Sequence, residues 1–130
     1  MIQLQNGSND VCLTLSESTT ISSPIYLFEF INDLTKEVIC FISSDTSNFK
    51  ERYNQFNIQV VSKVVQEPLI GKIYLSDTGF YRYNIYQQTS TTNLNPDNAL
   101  GLVETGKVKY IFNEQETIEL DSNNEVITYG

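Results

Sequence analysis

The chain has 130 residues, a net charge of −8 and no histidine, and these properties exclude several classes of protein. The length fits one domain, and 40% hydrophobic residues supply enough apolar surface for its core. Nucleic-acid binders need clustered Lys and Arg to displace counterions from phosphate, whereas the eight basic residues here lie singly along the sequence. The sequence therefore predicts one domain, residues 1–130, that binds neither nucleic acid nor anionic lipid.

Targeting signals are not apparent in the sequence. No segment approaches the roughly 20 apolar residues that a membrane helix needs. Met1 to Gln5 lacks the basic start and the continuous apolar stretch of a signal peptide. We therefore expect the protein to stay in the cytoplasm where it is made, unless a particle or a specialised system carries it out.

Short runs rich in Ile, Val, Tyr and Phe, separated by Asn, Asp, Gly, Ser and Pro, predict an all-β protein. A final pair of runs, joined by the turn residues Asp121 to Asn124, predicts a hairpin extension at residues 117–130. In chain order, the predicted strands are Ile2 to Gln5, Asp10 to Leu15, Ile25 to Asn32, Glu37 to Ser43, Gln55 to Val61, Gly71 to Leu75, Phe80 to Gln88, Gly106 to Phe112, Thr117 to Leu120 and Val126 to Tyr129.

Two of these strands have informative side-chain patterns. In Phe80 to Gln88, apolar and polar residues alternate, which predicts a core face and a face that is wet or covered by a partner. Ile25 to Ile31 is apolar on nearly both faces apart from Glu29, which is typical of a central strand or of one whose outer face a partner covers. Between strands, Asn95 before Pro96 and Asp97 predicts one capped helical turn.

The number and spacing of the strands predict a two-sheet sandwich, and a local motif refines this prediction. Asp77-Thr78-Gly79-Phe80-Tyr81 has the pattern of a tyrosine corner, in which a Tyr enters a strand just after a turn. We expect the Tyr81 hydroxyl to bond nearby backbone, and Tyr83 to take the core place where antibody domains carry Cys. The predicted fold class is therefore all-β: an Ig-like antiparallel β-sandwich with a C-terminal β-hairpin extension.

Catalytic machinery is not visible in the sequence. Without histidine, no Ser-His-Asp or Cys-His set can be built. Two alternatives are left open: catalysis by a pair of carboxylates, and a calcium site at Asp121, Asn123 and Glu125. Turns and strand ends use the same residue types. We therefore predict no enzyme activity, no catalytic residues, no cofactor and no metal. The acids that could form a pair are spread over turns and strand ends: Glu17, Asp33, Glu37, Asp45, Glu51 and Asp77.

The two cysteines, Cys12 and Cys40, each lie in an apolar, strand-like run. In a reducing compartment this favours two buried free thiols, and a disulfide between the sheets is the alternative.

Two polar loops are candidates for binding, since loops on a rigid scaffold often carry function. One runs from Gln87 to Gly106 and would project from one end of the sandwich. The other runs from Ser44 to Tyr53, and its Arg52 and Tyr53 are residue types that are enriched at binding hot spots. A solvated connection and, for Tyr53, a place in the core are the alternatives.

An ordered series of motifs between Ile21 and Tyr110 resembles small virion proteins of crAss-like and related tailed phages of gut Bacteroidales. The series comprises Tyr26 to Asp33, Lys36-Glu37, Phe41 to Ser47, Glu51 to Asn54, Phe56, Gly79 to Tyr83, Ile85-Tyr86, Thr89 to Pro96 and Gly101 to Val108.

The resemblance implies a non-enzymatic structural component of the virion, an auxiliary capsid (decoration) protein or a head fibre. It implies the major capsid protein or another virion protein as the partner, and assembly within the host bacterial cytoplasm. A homo-oligomer is compatible with this role. The alternative function is an Ig-like binding module that recognises a protein or a glycan through its end loops.

Overall fold

The computed structural model describes residues 1–111, which contain eight strands and three one-turn 3₁₀ helices. The predicted hairpin at residues 117–130 lies outside the described residues. The strands are β1 (Ile2–Gln5), β2 (Gly7–Leu13), β3 (Ile25–Asn32), β4 (Val38–Ile42), β5 (Asn54–Val60), β6 (Lys72–Ile73), β7 (Gly79–Gln88) and β8 (Gly101–Ile111). The helices are Lys63–Val65, Pro68–Ile70 and Pro96–Asn98.

The strands form two sheets that pack face to face, so the predicted β-sandwich is confirmed. Sheet A has the order β1-β8-β7-β3-β4, and sheet B has the order β2-β5-β6. The finer prediction, an Ig-like topology, stays a prediction.

Two edge pairings differ from the predicted antiparallel arrangement. β1 pairs with β8 in parallel, with Ile2 opposite Val108, and β5 pairs with the two-residue strand β6 in parallel, with Gln59 opposite Lys72. Only strands joined by a tight turn are forced to be antiparallel, and neither pair is joined in that way. The other four pairings are antiparallel, as predicted.

Aromatic rings from both sheets form the centre of the core. Phe28 on β3 stacks on Phe41 of β4 with ring centroids 5.0 Å apart, and it meets Phe56 of sheet B edge-to-face, also at 5.0 Å. These three side chains are completely buried. Such geometries each add about 0.5–1.5 kcal/mol beyond the area that the rings bury. The Phe28–Phe56 contact therefore joins sheet A to sheet B between β3 and β5.

The tyrosine corner is present as predicted. Tyr81 is completely buried, and its hydroxyl donates a 2.7 Å hydrogen bond to the backbone carbonyl of Asp77. Tyr83 is also in the core, and its hydroxyl donates to the Glu104 carboxylate at 2.5 Å. The Tyr83 ring lies over Gly106 on the neighbouring strand, where no larger side chain would fit without a shift.

The loop before β8 is shorter than the sequence predicted, because β8 begins at Gly101 rather than at Gly106. A register shift between Ile85 and Tyr86 keeps β8 paired with β7 over this extra length. Within the loop, the Asn95 side chain accepts a hydrogen bond from the Asp97 amide, which confirms the predicted capped turn at Pro96–Asn98.

Candidate interaction face

The outer face of sheet A carries its side chains in rows that cross the strands, because residues paired across a sheet point to the same side. One row places Phe80 beside Lys109, and the next places Ile31 and Val38 beside Arg82 and Lys107. Farther along, Glu29 faces Asn84 on one side and Cys40 on the other. The last row is apolar and consists of Ile42, Leu27, Tyr86 and Leu102.

The middle of this face is a half-buried polar cluster around Glu29. One carboxylate oxygen of Glu29 accepts hydrogen bonds from the Asn84 amide at 2.9 Å and from the Tyr86 hydroxyl at 3.1 Å. Burial, followed by the bond to Glu29, raises the pKa of Tyr86 to about 12. Burial, together with the negative charge of Glu29, raises the pKa of Cys40 to about 11. Glu29 is the one acidic residue in the strand that the sequence predicts as central, and Asn84 and Tyr86 on the same face donate the hydrogen bonds that stabilise its carboxylate.

Half of the basic residues of the chain lie close together in space although they are scattered in sequence. Arg82 lies directly opposite Lys107, and Lys109 lies one row away. Lys36 is close enough to Asp33 for its charge to lower the pKa of that carboxyl, as the charges of Arg82 and Lys107 also do. Four of the eight basic residues of the chain therefore form one group at one end of sheet A, which we call the basic patch: Lys36, Arg82, Lys107 and Lys109.

Little of the positive charge of the basic patch is paired. Lys107 donates to Asp33 at 2.7 Å, and this hydrogen bond is the main reason that the pKa of Asp33 lies below its usual value. Within residues 1–111, Lys36, Arg82 and Lys109 make no ion pair. The Lys109 ammonium lies 5.8 Å from the centre of the Phe80 ring, a cation–π distance. The patch therefore presents cations that a negatively charged surface could pair.

Apolar side chains are exposed among these cations. Phe80 is 49% exposed, Val38 52% and Leu34 92%. A cavity of about 510 Å³ opens beside Phe80, between the loop at Asp33 and the turn at Asp77 to Gly79. Apolar groups ringed by charge are typical of protein-binding surfaces rather than of solvated ones.

A second candidate lies at the opposite end of the sandwich, between the loops at residues 14–24 and 43–53. These loops enclose an open cavity of about 800 Å³ that is lined by hydroxyl, amide and carboxylate groups. Asn54 joins the loops, because its side chain accepts from the Leu15 amide at 2.8 Å and donates to Asp45 at 2.7 Å. The other oxygen of Asp45 accepts from the backbone amides of Ser47 and Gln55, so this carboxylate holds the loop in place.

The two contact residues that the sequence suggested in this loop lie at the same end of the sandwich. Arg52 is exposed, whereas Tyr53 is half-buried. Tyr53 packs near the ring of Phe49, which is 56% exposed, with the centroids 6.5 Å apart. Sequence reasoning missed Phe49; the signal was an aromatic residue in the middle of an otherwise polar loop.

Two consecutive glutamines at the end of β7 brace two loops: Gln87 holds the loop at residues 14–24, and Gln88 holds the start of the other predicted binding loop. The side-chain oxygen of Gln87 accepts from the Thr20 backbone amide at 2.9 Å, and the side-chain nitrogen of Gln87 donates to the Thr20 hydroxyl. Gln88 donates to the carbonyls of Ser90 and Asn93 and accepts from the Asn93 side chain. Both glutamines are at least 95% buried. They therefore act as internal braces at the start of a segment for which the sequence left both a binding loop and a solvated connection open.

Four of the six acids named from the sequence lie in two pairs. Asp45 and Glu51 line the loop cavity, and Glu37 and Asp77 lie 3.1 and 3.2 Å from the Ser76 hydroxyl, which can donate to either carboxylate. Glu37 and Asp77 are both exposed to solvent. No group of three potential metal ligands occurs among residues 1–111, and the candidate calcium residues at 121–125 lie outside this range.

The cysteines differ from the prediction of two buried thiols or an inter-sheet disulfide. Both are free, Cys12 is exposed, and Cys40 is half-buried. Cys12 points outward from sheet B opposite Gln55, and Cys40 points outward from sheet A opposite Glu29. An apolar run predicted burial for both, but alternation along each strand places the sulfur on the outer face.

Comparison with protein-family models, with curated proteins and with solved structures finds no match to this chain. Among the described residues, no helix is long and apolar enough to cross a membrane. The class that the fold defines is a two-sheet β-sandwich.

Proposed function

We propose that this protein is a non-enzymatic structural component of a tailed-phage virion, an auxiliary (decoration) or head-fibre protein that binds the major capsid protein or another virion protein. The observation that carries the proposal is the basic patch, where four cations surround exposed Phe80 and Val38 on a chain whose net charge is −8. The resemblance of the motif series between Ile21 and Tyr110 supports the same role.

Docking through this face follows from its chemistry. An acidic protein surface would pair with Arg82 and Lys109, while an apolar group beside Phe80 would fill the neighbouring cavity. Exposed ion pairs contribute only about 0.2–1 kcal/mol each. A homo-oligomer that engages several symmetry-related positions at once would make such weak contacts sufficient for stable attachment. The polar outer face of sheet B, with Asn57 bonded to Ser8 and Asp10, would face away from the shell.

Mass spectrometry of gradient-purified particles from the phage that encodes this chain tests the role. We expect abundant peptides, at a copy number near that of the capsid protein for a decoration protein and lower for a fibre. Absence from mature particles, with the protein present in infected cells, would contradict the proposal.

Incorporation of variants tests the docking face. We expect the double variant Arg82→Glu with Lys109→Glu to be lost from particles, since it leaves the Lys107–Asp33 pair intact and reverses the charge of the patch. The matched variant Arg52→Glu with Lys63→Glu changes the same total charge at exposed positions elsewhere and should be incorporated normally. Equal incorporation of the two variants would exclude the basic patch as the docking face.

The alternative function is a binding module that recognises a protein or a glycan through its end loops, and the cavity between residues 14–24 and 43–53 favours it. Its hydroxyl and amide lining suits a sugar, and exposed Phe49 at the same end offers an apolar surface. Glycan-array binding that is lost in Phe49→Ser and Asp45→Asn, together with absence from particles, would favour this function.

A further inference from the structure

The turn that joins β3 to β4, residues 33–37, is braced from within by Asn32, and we call it the hairpin tip. The buried side chain of Asn32 accepts hydrogen bonds from the backbone amides of Leu34 and Thr35, at 2.8 and 2.9 Å. The Asn32 carbonyl also accepts from the Lys36 amide at 3.0 Å. The amides of three successive tip residues are therefore bonded to one buried residue.

Asp33 ties the tip to sheet A on its other side. Its backbone amide donates to the Phe80 carbonyl at 3.1 Å, and its carboxylate accepts from Lys107 at 2.7 Å. These contacts anchor the tip to β7 and β8, the two strands that carry the rest of the basic patch. The tip is therefore preorganised, and binding a partner would cost it little conformational entropy.

Leu34 is the side chain that this braced tip displays. It is 92% exposed, although it is large and apolar. A single exposed Leu is common on protein surfaces, but Leu34 lines the same cavity as half-exposed Phe80, and the Lys109 cation lies over the Phe80 ring. A protruding apolar group on a preorganised support, beside charged groups, has the features of a binding anchor.

Lys36 occupies a backbone conformation that favours glycine. Its φ is 64°, in the left-handed region, where a side chain crowds the backbone. The turn needs only the backbone amide of this residue, and the Lys36 side chain makes no ion pair within residues 1–111. Lysine therefore brings strain without a compensating contact in the described chain, and strain of this kind is typical of functional sites.

We propose that the hairpin tip determines which virion protein this chain binds: Leu34 enters an apolar pocket of the partner, and Lys36 pairs with a carboxylate at the rim of that pocket. Charge complementarity selects an acidic rim, because Lys36 and nearby Arg82 make no ion pair within residues 1–111. This role of the tip rests on the proposed function and adds a chemical requirement: the partner presents an acidic-rimmed pocket rather than a flat acidic surface.

Binding of the full chain to particles stripped of this protein tests the role of Leu34. We expect Leu34→Ser to weaken binding about tenfold, since full burial of a Leu side chain in a pocket contributes a factor of this size or more. Val64→Ser is the matched control, because Val64 is 91% exposed and lies outside the basic patch, and it should bind like the wild type. Undiminished binding of Leu34→Ser, or an equal loss in Val64→Ser, would overturn the proposal.

Two substitutions at Lys36 separate binding from folding. Lys36→Gly removes both the strain and the cation, so we expect it to be at least as stable as the wild type in urea but to bind the particles about threefold more weakly at low salt. Lys36→Arg keeps the cation and should bind like the wild type. A Lys36→Gly variant that binds normally, or that is less stable than the wild type, would refute this role of Lys36.

The role of the tip and the proposed function fail in different ways. If the wild type is absent from virions and does not bind stripped particles, both are wrong. If the wild type binds, and Leu34→Ser and Lys36→Gly bind equally well, the virion role stands and the hairpin tip does not determine the partner.

Discussion

Tyr81 shows how one hydroxyl fixes the entry to a strand. Its ring is fully buried and its hydroxyl donates to the Asp77 carbonyl at 2.7 Å. We expect Tyr81→Phe to lower the free energy of unfolding by about 1 kcal/mol, since the carbonyl loses its partner while the ring stays in place. Tyr110→Phe, at a buried tyrosine of the next strand whose hydroxyl makes no hydrogen bond among the described residues, should change it by less than about 0.5 kcal/mol. Urea denaturation measures both, and equal effects would refute the corner's role.

Gly106 leaves room for the ring of Tyr83. A Cβ at this position would lie 2.6 Å from Tyr83 Cε2, so we expect Gly106→Ala to destabilise the protein by about 1–3 kcal/mol through overpacking. Gly101→Ala on the same strand meets only the end of the Gln87 side chain, at 3.3 Å. This control should cost clearly less than Gly106→Ala, because a contact of 3.3 Å needs a shift of only a few tenths of an ångström and Ala loses less backbone entropy than Gly. If the two variants were equally stable, the close contact would be unimportant.

The thiol of Cys40 reports on the charge of Glu29. Burial and Glu29 raise its pKa from 9.0 to about 11, so the folded state favours the neutral thiol. The resulting stabilisation is complete below pH 9 and is lost as the pH rises through about 11. In a Cys12→Ser background, we expect Glu29→Gln to shift the pH dependence of Cys40 alkylation to lower pH. The control Glu17→Gln, in an exposed loop, should not, and an unshifted profile in Glu29→Gln would contradict the proposed coupling.

At the level of strands and loops, Gln87 connects β7 to the loop at residues 14–24. Its side chain accepts from the amides of Thr20 and Ile21 and donates to the Thr20 hydroxyl. We expect Gln87→Ala to cost about 1–3 kcal/mol and to speed hydrogen exchange at Thr20 and Ile21. Gln59→Ala, which removes one bond on the outer face of sheet B, should cost less than about 0.5 kcal/mol. Unchanged exchange in the loop would show that Gln87 does not hold it.

Strand positions and the corner were predictable because they depend on local alternation and turn chemistry. Tyr81 and the Asn95 cap are examples, since each needs only residues within a few positions along the chain. The early start of β8 at Gly101 was not predictable, because β pairing and a register shift across β7 extend this strand through a polar sequence. The outward direction of Cys12 was missed because periodicity is ambiguous in a short apolar run.

For the whole molecule, charge is the property that one sequence describes least well. The net charge of −8 shows that the protein is acidic, but it does not indicate which basic residues lie close together in the folded chain. Lys36, Arg82 and Lys107 are far apart along the chain, and only the register of β3, β7 and β8 brings them to one end of sheet A. A basic surface on an acidic protein therefore emerges from strand pairing, which no local pattern encodes.

If the basic patch is the docking face, the salt dependence of binding should separate the contribution of its charges from that of its apolar side chain, Phe80. Binding to particles stripped of this protein should weaken as salt rises, because the screening length falls from about 10 Å at 0.1 M to about 3 Å at 1 M. Arg82→Glu with Lys109→Glu should remove both the binding and its salt dependence. Phe80→Ser should weaken binding roughly tenfold at every salt concentration and keep the slope, since a half-exposed Phe loses part of the 1.5–3 kcal/mol that full burial contributes.

Sedimentation of labelled protein with the particles at several salt concentrations measures both the affinity and its salt dependence. The pair Arg52→Glu with Lys63→Glu supplies the reference, because it has the same net charge as the patch variant and leaves the face untouched. If this pair lost binding to the same extent, net charge rather than the basic patch would govern attachment. If Phe80→Ser changed the salt dependence of binding instead of the affinity, Phe80 would act by positioning Lys109, whose ammonium lies over its ring, and not by entering the interface.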